Sequence, residues 1–289
     1  MKQLLILSGK GGTGKTTITS AFIRLAAAKA YADCDVDAPN LHLISDWDQE
    51  PERNDYFGMD KAWINSDLCS ECDLCRQHCR FDAITFTETY AVDPFACEGC
   101  AVCEYVCPEN AIEMQAAPAG EKMLYRSADT VFSTARLKMG SGNSGLLVSE
   151  VKNAMKTSAA ADLKLAIIDG SPGIGCPVIA SLTGVDMVLL VAEPSVSGLS
   201  DLKRVLQTAA GFGIKAAVCI NKFDSNPEQT ANIEEYCRMH NLDLVGKIPF
   251  DEYAVKAINS GKSIVDIDCS SGRAVQPLFN RTMRLLYGD

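Results

Sequence analysis

Eight of the thirteen cysteines stand in two runs of one spacing, Cys69, Cys72, Cys75, Cys79 and then Cys97, Cys100, Cys103, Cys107, the second followed by Pro108. Thiolates are soft metal ligands, and four of them set two or three residues apart can wrap a metal centre. Sixty residues upstream of the first run lies Gly9-Lys10-Gly11-Gly12-Thr13-Gly14-Lys15-Thr16. Its glycines let backbone N–H groups approach phosphate oxygens, and its lysine and threonine supply a cation and a hydroxyl. A chain with both sets of residues can couple nucleotide hydrolysis to electron or cluster transfer.

The glycine loop needs a strand before it and a helix after it, and the sequence provides both. Gln3 to Ser8 reads as a buried strand, and a helix follows from about Lys15 to Lys29. The helix N-terminus then adds its own N–H groups to the phosphate site. Tyr31 to Asp33 reads as a second short strand. Further on, Leu165–Asp169, Met187–Val191, Ala216–Ile220 and Leu242–Ile248 read as strands, with helices near Gly198–Ala210 and Pro227–His240 between them. Continuous apolar runs of this kind suit strands buried on both faces. The alternation predicts an α/β fold with a doubly wound, mostly parallel sheet.

The cysteine runs interrupt that pattern. The expected organisation is an α/β domain over 1–62 and 116–289, with a small inserted α+β domain over 63–115. The polar stretch from Asp46 to Trp63 reads as a linker into it. Cys69 and Cys97 are 28 residues apart, and Asp82-Ala83-Ile84 returns as Asn110-Ala111-Ile112 at the same offset. Two copies of one motif, related by pseudo-symmetry, are implied.

Composition narrows the function classes. The 289 residues carry 27 Lys and Arg against 37 Asp and Glu, a formal charge of −10, which disfavours nonspecific attraction to nucleic acid or anionic lipid. The acidity is uneven: ten Asp and Glu against two Arg fall between Ile64 and Glu113. A basic partner suits such a surface, as does plain solvation. No apolar run reaches the roughly 18 residues of a membrane helix, and the first residues lack a signal-peptide pattern. A cytoplasmic protein with no stable membrane insertion and no nucleic-acid partner is expected. In that compartment clustered cysteines bind metal more often than they form disulfides.

The doubled cysteine spacing resembles that of bacterial two-cluster ferredoxins. In that pattern three ligands come from one run and the fourth from the other. The resemblance implies two [4Fe–4S] clusters, one on Cys69, Cys72, Cys75 and Cys107, the other on Cys97, Cys100, Cys103 and Cys79. Arg80, where the second run has Pro108, departs from the first run's expected closing turn. The competing reading is a zinc ribbon on Cys69, Cys72, Cys97 and Cys100; its spacer is long, and four cysteines would go unused.

Lys10 sharpens the nucleotide site. The loop resembles the deviant phosphate loop of the MinD, ParA and nitrogenase iron protein superfamily, in which the first lysine reaches the partner subunit's nucleotide. The resemblance implies an ATPase that forms an ATP-dependent homodimer. Gly11, Gly12, Thr13, Gly14, Lys15, Thr16 and Thr17 would bind ATP, with Thr16 on Mg2+. Asp33-Cys34-Asp35 through Pro39-Asn40 resembles the family's first switch, with Asp35 orienting the attacking water. Asp169-Gly170-Ser171-Pro172-Gly173 resembles the second, with Asp169 near Mg2+ through water. Asn221, Pro249 and Asp251 would read the base. Asn221-Lys222-Phe223-Asp224 also matches a guanine-reading pattern, so GTP stands as the alternative to ATP.

Other features carry less. Cys176 follows the second switch and reads either as a redox-facing thiol or as a small packed residue. Arg136 to Gly145 reads as a linker or a loop that orders on binding. The final helix, near Val275–Leu286, reads as packed on the sheet and not as a membrane anchor. Three functions fit: an ATPase that couples nucleotide state to electron transfer with a redox partner, the main reading; a carrier that serves iron–sulfur or metallocofactor assembly targets; and a MinD/ParA-like positioning ATPase with structural clusters.

Overall fold

The computed structural model describes every residue except Ser45, Asp46, Asp48 and Asp289. In chain order its strands are β1 (Lys2–Leu7), β2 (Ala30–Asp33), β3 (Glu52–Phe57), β4 (Lys61–Ile64), β5 (Ile84–Phe86), β6 (Tyr90–Val92), β7 (Ile112–Gln115), β8 (Pro118–Arg126), β9 (Val131–Leu137), β10 (Leu165–Asp169), β11 (Met187–Ala192), β12 (Lys215–Asn221) and β13 (Asp243–Ile248). The helices are α1 (Lys15–Ala26), α2 (Leu74–His78), α3 (Val102–Val106), α4 (Ser144–Ser158), α5 (Cys176–Leu182), α6 (Val196–Gly211), α7 (Pro227–Met239), α8 (Glu252–Asn259) and α9 (Ser270–Tyr287).

Nine strands make one sheet in the order β13-β12-β11-β1-β10-β2-β9-β8-β3. From β13 to β9 every pairing is parallel, while β8 and β3 add on antiparallel. The sheet is therefore mixed, with a parallel centre. Alternate residues of β1 feed opposite layers: Leu5 and Leu7 join one apolar cluster, Leu4 and Ile6 the other. All four are fully buried, each such side chain contributing about 1.5–3 kcal/mol. One layer is closed by α4, α5, α6 and α7, through Leu147, Val178, Val205 and Ile233. The other is closed by α1 and α9, through Phe22, Val275 and Leu278. The terminal helix is thus packed on the sheet.

The expected linker is only partly one. Its positions 46 and 48 lie outside the described residues, but Glu52–Phe57 is the edge strand β3. Glu52, Arg53, Asn54 and Asp55 are exposed and only Tyr56 is buried. An edge strand shields itself with charge, so its sequence carries no apolar alternation.

Between β3 and β8 the chain builds two small sheets of its own, β4 with β7 and β5 with β6. They enclose a small apolar cluster of Ala62, Cys75, Ala83, Ile84, Cys97 and Ile112. The sequence repeat is written in the backbone. Left-handed φ angles occur at Glu71 and Gly99, at Asp73 and Ala101, and at Asp82 and Asn110, each pair 28 residues apart. The short helices α2 and α3 keep that offset, and both end in a cysteine with ψ of 113°. Non-glycine residues adopt such angles at a cost and hold them only where surroundings impose them.

Candidate functional site

The phosphate loop leaves β1 and turns into α1 at Gly14, whose φ is 89°. The Asn221 side chain occupies the place a Gly14 Cβ would need, and its amide donates to the Thr13 carbonyl at 2.7 Å. Glycine is required here for both the angle and the approach. A cleft of 360 Å³ is lined by Gly11, Gly12, Thr13, Gly14, Lys15, Thr16 and Thr17, together with Asp35, Asn40 and Pro172. Clefts of 380 Å³ elsewhere contain none of the loop, so size does not mark the site.

Two strand ends bring three carboxylates around Lys15. β2 ends at Asp33 and leads to Asp35, and β10, its neighbour, ends at Asp169. The Lys15 ammonium, 6% exposed, lies 2.8 Å from Asp169 and 3.8 Å from Asp35. Burial acts to lower the Lys15 pKa, but the charges of Asp169, Asp33 and Asp35 outweigh it and raise it. The Thr16 hydroxyl donates to one Asp169 oxygen at 2.6 Å and the Thr19 hydroxyl to the other at 2.7 Å. A hydroxyl facing a carboxylate beside phosphate-binding backbone suits a hard cation such as Mg2+. Asp35 is pushed up to about 6, first by burial and then by the Asp169 and Asp37 charges, against the pull of Lys15.

Three residues that spacing did not single out also act here. Asp33, fully buried and pushed up to about 7 by burial and the Asp169 charge, accepts N–H bonds from Asp35, Asn40 and Leu41, all at 3.0 Å. It thereby folds the 35–41 segment back over its own strand. Thr19 sits one helical turn after Lys15, a spacing the sequence does display. Glu193, after β11, pairs with Lys10 at 2.8 Å and with Lys222 at 3.1 Å. The Lys10 ammonium also reaches the Ser195 hydroxyl at 3.2 Å.

Asn221, Pro249 and Asp251 line an adjoining cleft of 170 Å³ with Thr17, Phe250 and Ile258. Asp251 is committed elsewhere, however. Burial would raise its pKa, but bonds from the Ser271 N–H, the Ser270 hydroxyl and the Tyr253 N–H hold it at about 2. That carboxylate caps α8 and ties it to α9. Asp224 likewise accepts the Phe250 N–H at 2.7 Å.

In the insert, Cys75 and Cys97 are buried, Cys72 and Cys100 exposed, and Cys69, Cys79, Cys103 and Cys107 half-buried. No disulfide joins cysteines among the described residues. Burial pushes the Cys75 thiol up, and neighbouring Cys69, Cys72 and Cys107 push it further. Cys103 is pushed up to about 11 by burial, with Cys97 and Cys100 adding to it. Among the described residues no three His, Cys, Asp or Glu side chains close on a single ion. A four-iron cluster carries its ligands at its corners, so its thiolates surround a volume and need not meet at a point. The grouping of Cys107 with the first run fits that arrangement. Cys79 packs against the same small apolar cluster that holds Cys97 of the second run.

The described residues contain no helix long and apolar enough to cross a membrane. The fold and loop define a P-loop nucleotide-binding protein. Residues 4–264 match the family described as CobQ/CobB/MinD/ParA nucleotide binding domain, and the chain belongs to that family as a MinD/ParA-like ATPase. It is 30% identical over 283 residues to an uncharacterized protein of Methanocaldococcus jannaschii, covering 96% of this chain and 95% of that one. It is 31% identical over 136 residues to the septum site-determining protein MinD of Helicobacter pylori, 43% of this chain and 50% of the other. Among solved structures, MinD with Mg-ADP from Pyrococcus horikoshii shares the fold, with a TM-score of 0.58 at 18% identity over 98% of this chain and 96% of that one. These matches carry the ATPase common to all three functional readings. They favour the positioning-type reading over electron transfer, which rests on the insert alone.

Proposed function

We propose that the protein is a nucleotide switch of the MinD/ParA kind, which binds MgATP, pairs with a second copy and hydrolyses the nucleotide. The observation that carries this is that Lys15, Thr16 and Asp35 line one cleft beside the phosphate loop, with the buried Asp169 carboxylate bonded to both Lys15 and Thr16. Incoming phosphates compete with Asp169 and Asp35 for the Lys15 ammonium and so release both switch segments. In this reading Thr16 would hold Mg2+ and Asp169 would act on it through water, Asp35 would orient the attacking water, and Lys15 would stabilise charge on the transferring phosphoryl group. Lys10 crosses to the partner's nucleotide once it leaves Glu193. Asn221 and Pro249 line the base cleft, and Asp251 acts there only by fixing α8.

Light scattering with and without ATP tests the scheme. Dimer formed with ATP and not with ADP supports it, whereas a monomer in both states while nucleotide is bound contradicts it.

A second reading adds redox chemistry, and the insert supports it. The left-handed positions repeated at 28 residues and the grouping of Cys69, Cys72 and Cys107 around Cys75 are what loops wrapped around clusters require. Cys69, Cys72, Cys75 and Cys107 would hold one [4Fe–4S] cluster, and Cys97, Cys100, Cys103 and Cys79 the other. Bound there, such clusters supply one-electron chemistry toward a redox partner. Anaerobic purification with iron and sulfide analysis, followed by EPR and a redox titration with and without ATP, tests this. Eight iron atoms per chain and a nucleotide-dependent potential support coupling. Zinc in place of iron, or a potential indifferent to ATP, removes it and leaves the positioning-type switch.

A further inference from the structure

We propose that residues 138–143 are the link through which the nucleotide switches and the cysteine insert sense one another, an inference that rests on the nucleotide-switch reading above. The segment joins β9 to α4, and three sets of contacts fix it. At its start the Leu137 N–H donates to the Val36 carbonyl at 2.8 Å, one residue beyond Asp35. At its end Gly145, in the first turn of α4, packs on Cys176, the first residue of α5; a Cβ on Gly145 would lie 3.1 Å from that of Cys176. Between them the chain meets the insert. A Cβ on Gly140 would lie 3.1 Å from the Phe95 ring, and one on Gly142 3.3 Å from a Glu98 carboxylate oxygen. Phe95 and Glu98 stand on either side of Cys97 in the chain.

The far end of α5 is held as well. The Lys152 ammonium, on α4, donates to the carbonyl oxygens of Ala180 at 3.1 Å and of Ser181 and Thr183 at 2.6 Å each. Carbonyls at a helix C-terminus lack partners within the helix and carry partial negative charge, so a cation there binds tightly. Gly145 and Lys152 therefore join α4 to both ends of α5, and α5 begins directly after the Gly173–Gly175 turn. Packed elements shift as bodies and do not deform continuously. Movement of the 35–41 segment reaches 138–143 through the Leu137 bond, and movement of the Gly173 turn reaches it through α5 and α4. Phe95 and Glu98 carry it to the Cys97 loop. Coupling of this kind is reciprocal, so the state of the insert alters nucleotide affinity by the same factor.

Amide hydrogen exchange of the full chain with and without MgATP tests the link, with nucleotide binding measured in parallel for wild type, Phe95→Ala and Lys152→Met. In wild type, nucleotide slows exchange about threefold or more at both 138–143 and 95–103. Phe95→Ala keeps the response at 138–143 and weakens it at 95–103, where the Glu98 contact remains. Lys152→Met binds nucleotide and weakens both responses. Phe95 is 69% exposed, so its variant folds and decides the matter even where Lys152→Met does not fold. Nucleotide binding without any response at 138–143, or a full response at 95–103 in Phe95→Ala, overturns the link alone. Failure of the wild-type chain to bind nucleotide overturns the switch reading and the link with it.

Discussion

The phosphate loop is held in place by a buried charge network, whereas the cysteine loops rest on backbone shape with little core beneath them. Around Lys15 three carboxylates arrive from strand ends of a nine-stranded sheet, and both oxygens of Asp169 are bonded by hydroxyls of α1. The insert has six residues in its buried apolar cluster, two of them cysteines, and holds several non-glycine residues at left-handed angles. A core that small supplies little stability, and units of this size use metals or disulfides to stay folded. The difference teaches where each site draws its order. The nucleotide site is pre-organised by the fold, and the insert would gain its order from what its thiolates bind.

The largest expected effect comes from breaking the charge network. Lys15→Ala lowers ATP hydrolysis on the order of 10²–10³-fold. It also destabilises the fold by about 3 kcal/mol, because Asp169 and Asp33 are left buried without their cation. Phosphate release and thermal unfolding read the two effects. Lys10→Ala removes a half-exposed group whose partners are Glu193 and Ser195. Hydrolysis then falls about 10²-fold, while ATP binding by titration stays within about threefold and the melting temperature is unchanged.

A smaller effect follows from acid. In the role proposed for it Asp35 acts on water as a carboxylate, and a group with its pKa raised to about 6 is neutralised as pH falls through that value. kcat/KM for ATP therefore holds above pH 6 and drops about tenfold per unit below it. Asp35→Asn lowers the activity, and what remains lacks that limb of the profile. The smallest effect concerns the insert. Under the redox reading, with two clusters bound, Cys75→Ser lowers bound iron to about half and speeds proteolytic cleavage within 61–115 more than within the α/β core. Equal loss of order in both regions would erase the contrast drawn between them.

Sequence legibility follows the same divide. The phosphate loop is readable because it lies where an apolar strand ends, a local signal, whereas Asp35 and Asp169 are reached through the resemblance of their motifs to the family's switches. Asp33 was visible in its motif, but its task, gripping the N–H groups of Asn40 and Leu41, depends on a fold-back that no spacing announces. Glu193 is met only in three dimensions, since 183 residues separate it from Lys10. Asp251 looked available to the base and is instead engaged by Ser270 and Ser271, as capping groups commonly are. The 28-residue repeat was legible because pseudo-symmetry copies residues as well as backbone. The stretch from Arg136 to Gly145 reads as a linker or a loop that orders on binding, because glycines chosen for close approach look the same as glycines chosen for freedom. Polar β3 was missed for the converse reason, that its bonds are made by backbone alone.

The central claim is that this cleft hydrolyses ATP through Lys15. The direct measurement is phosphate release by the purified chain with Mg2+ and ATP or GTP, set against the Lys15→Ala variant prepared identically. The account predicts turnover of ATP in preference to GTP, lost in the variant. Equal phosphate release by wild type and variant, or none from a wild-type chain that is folded and nucleotide-bound, would contradict it.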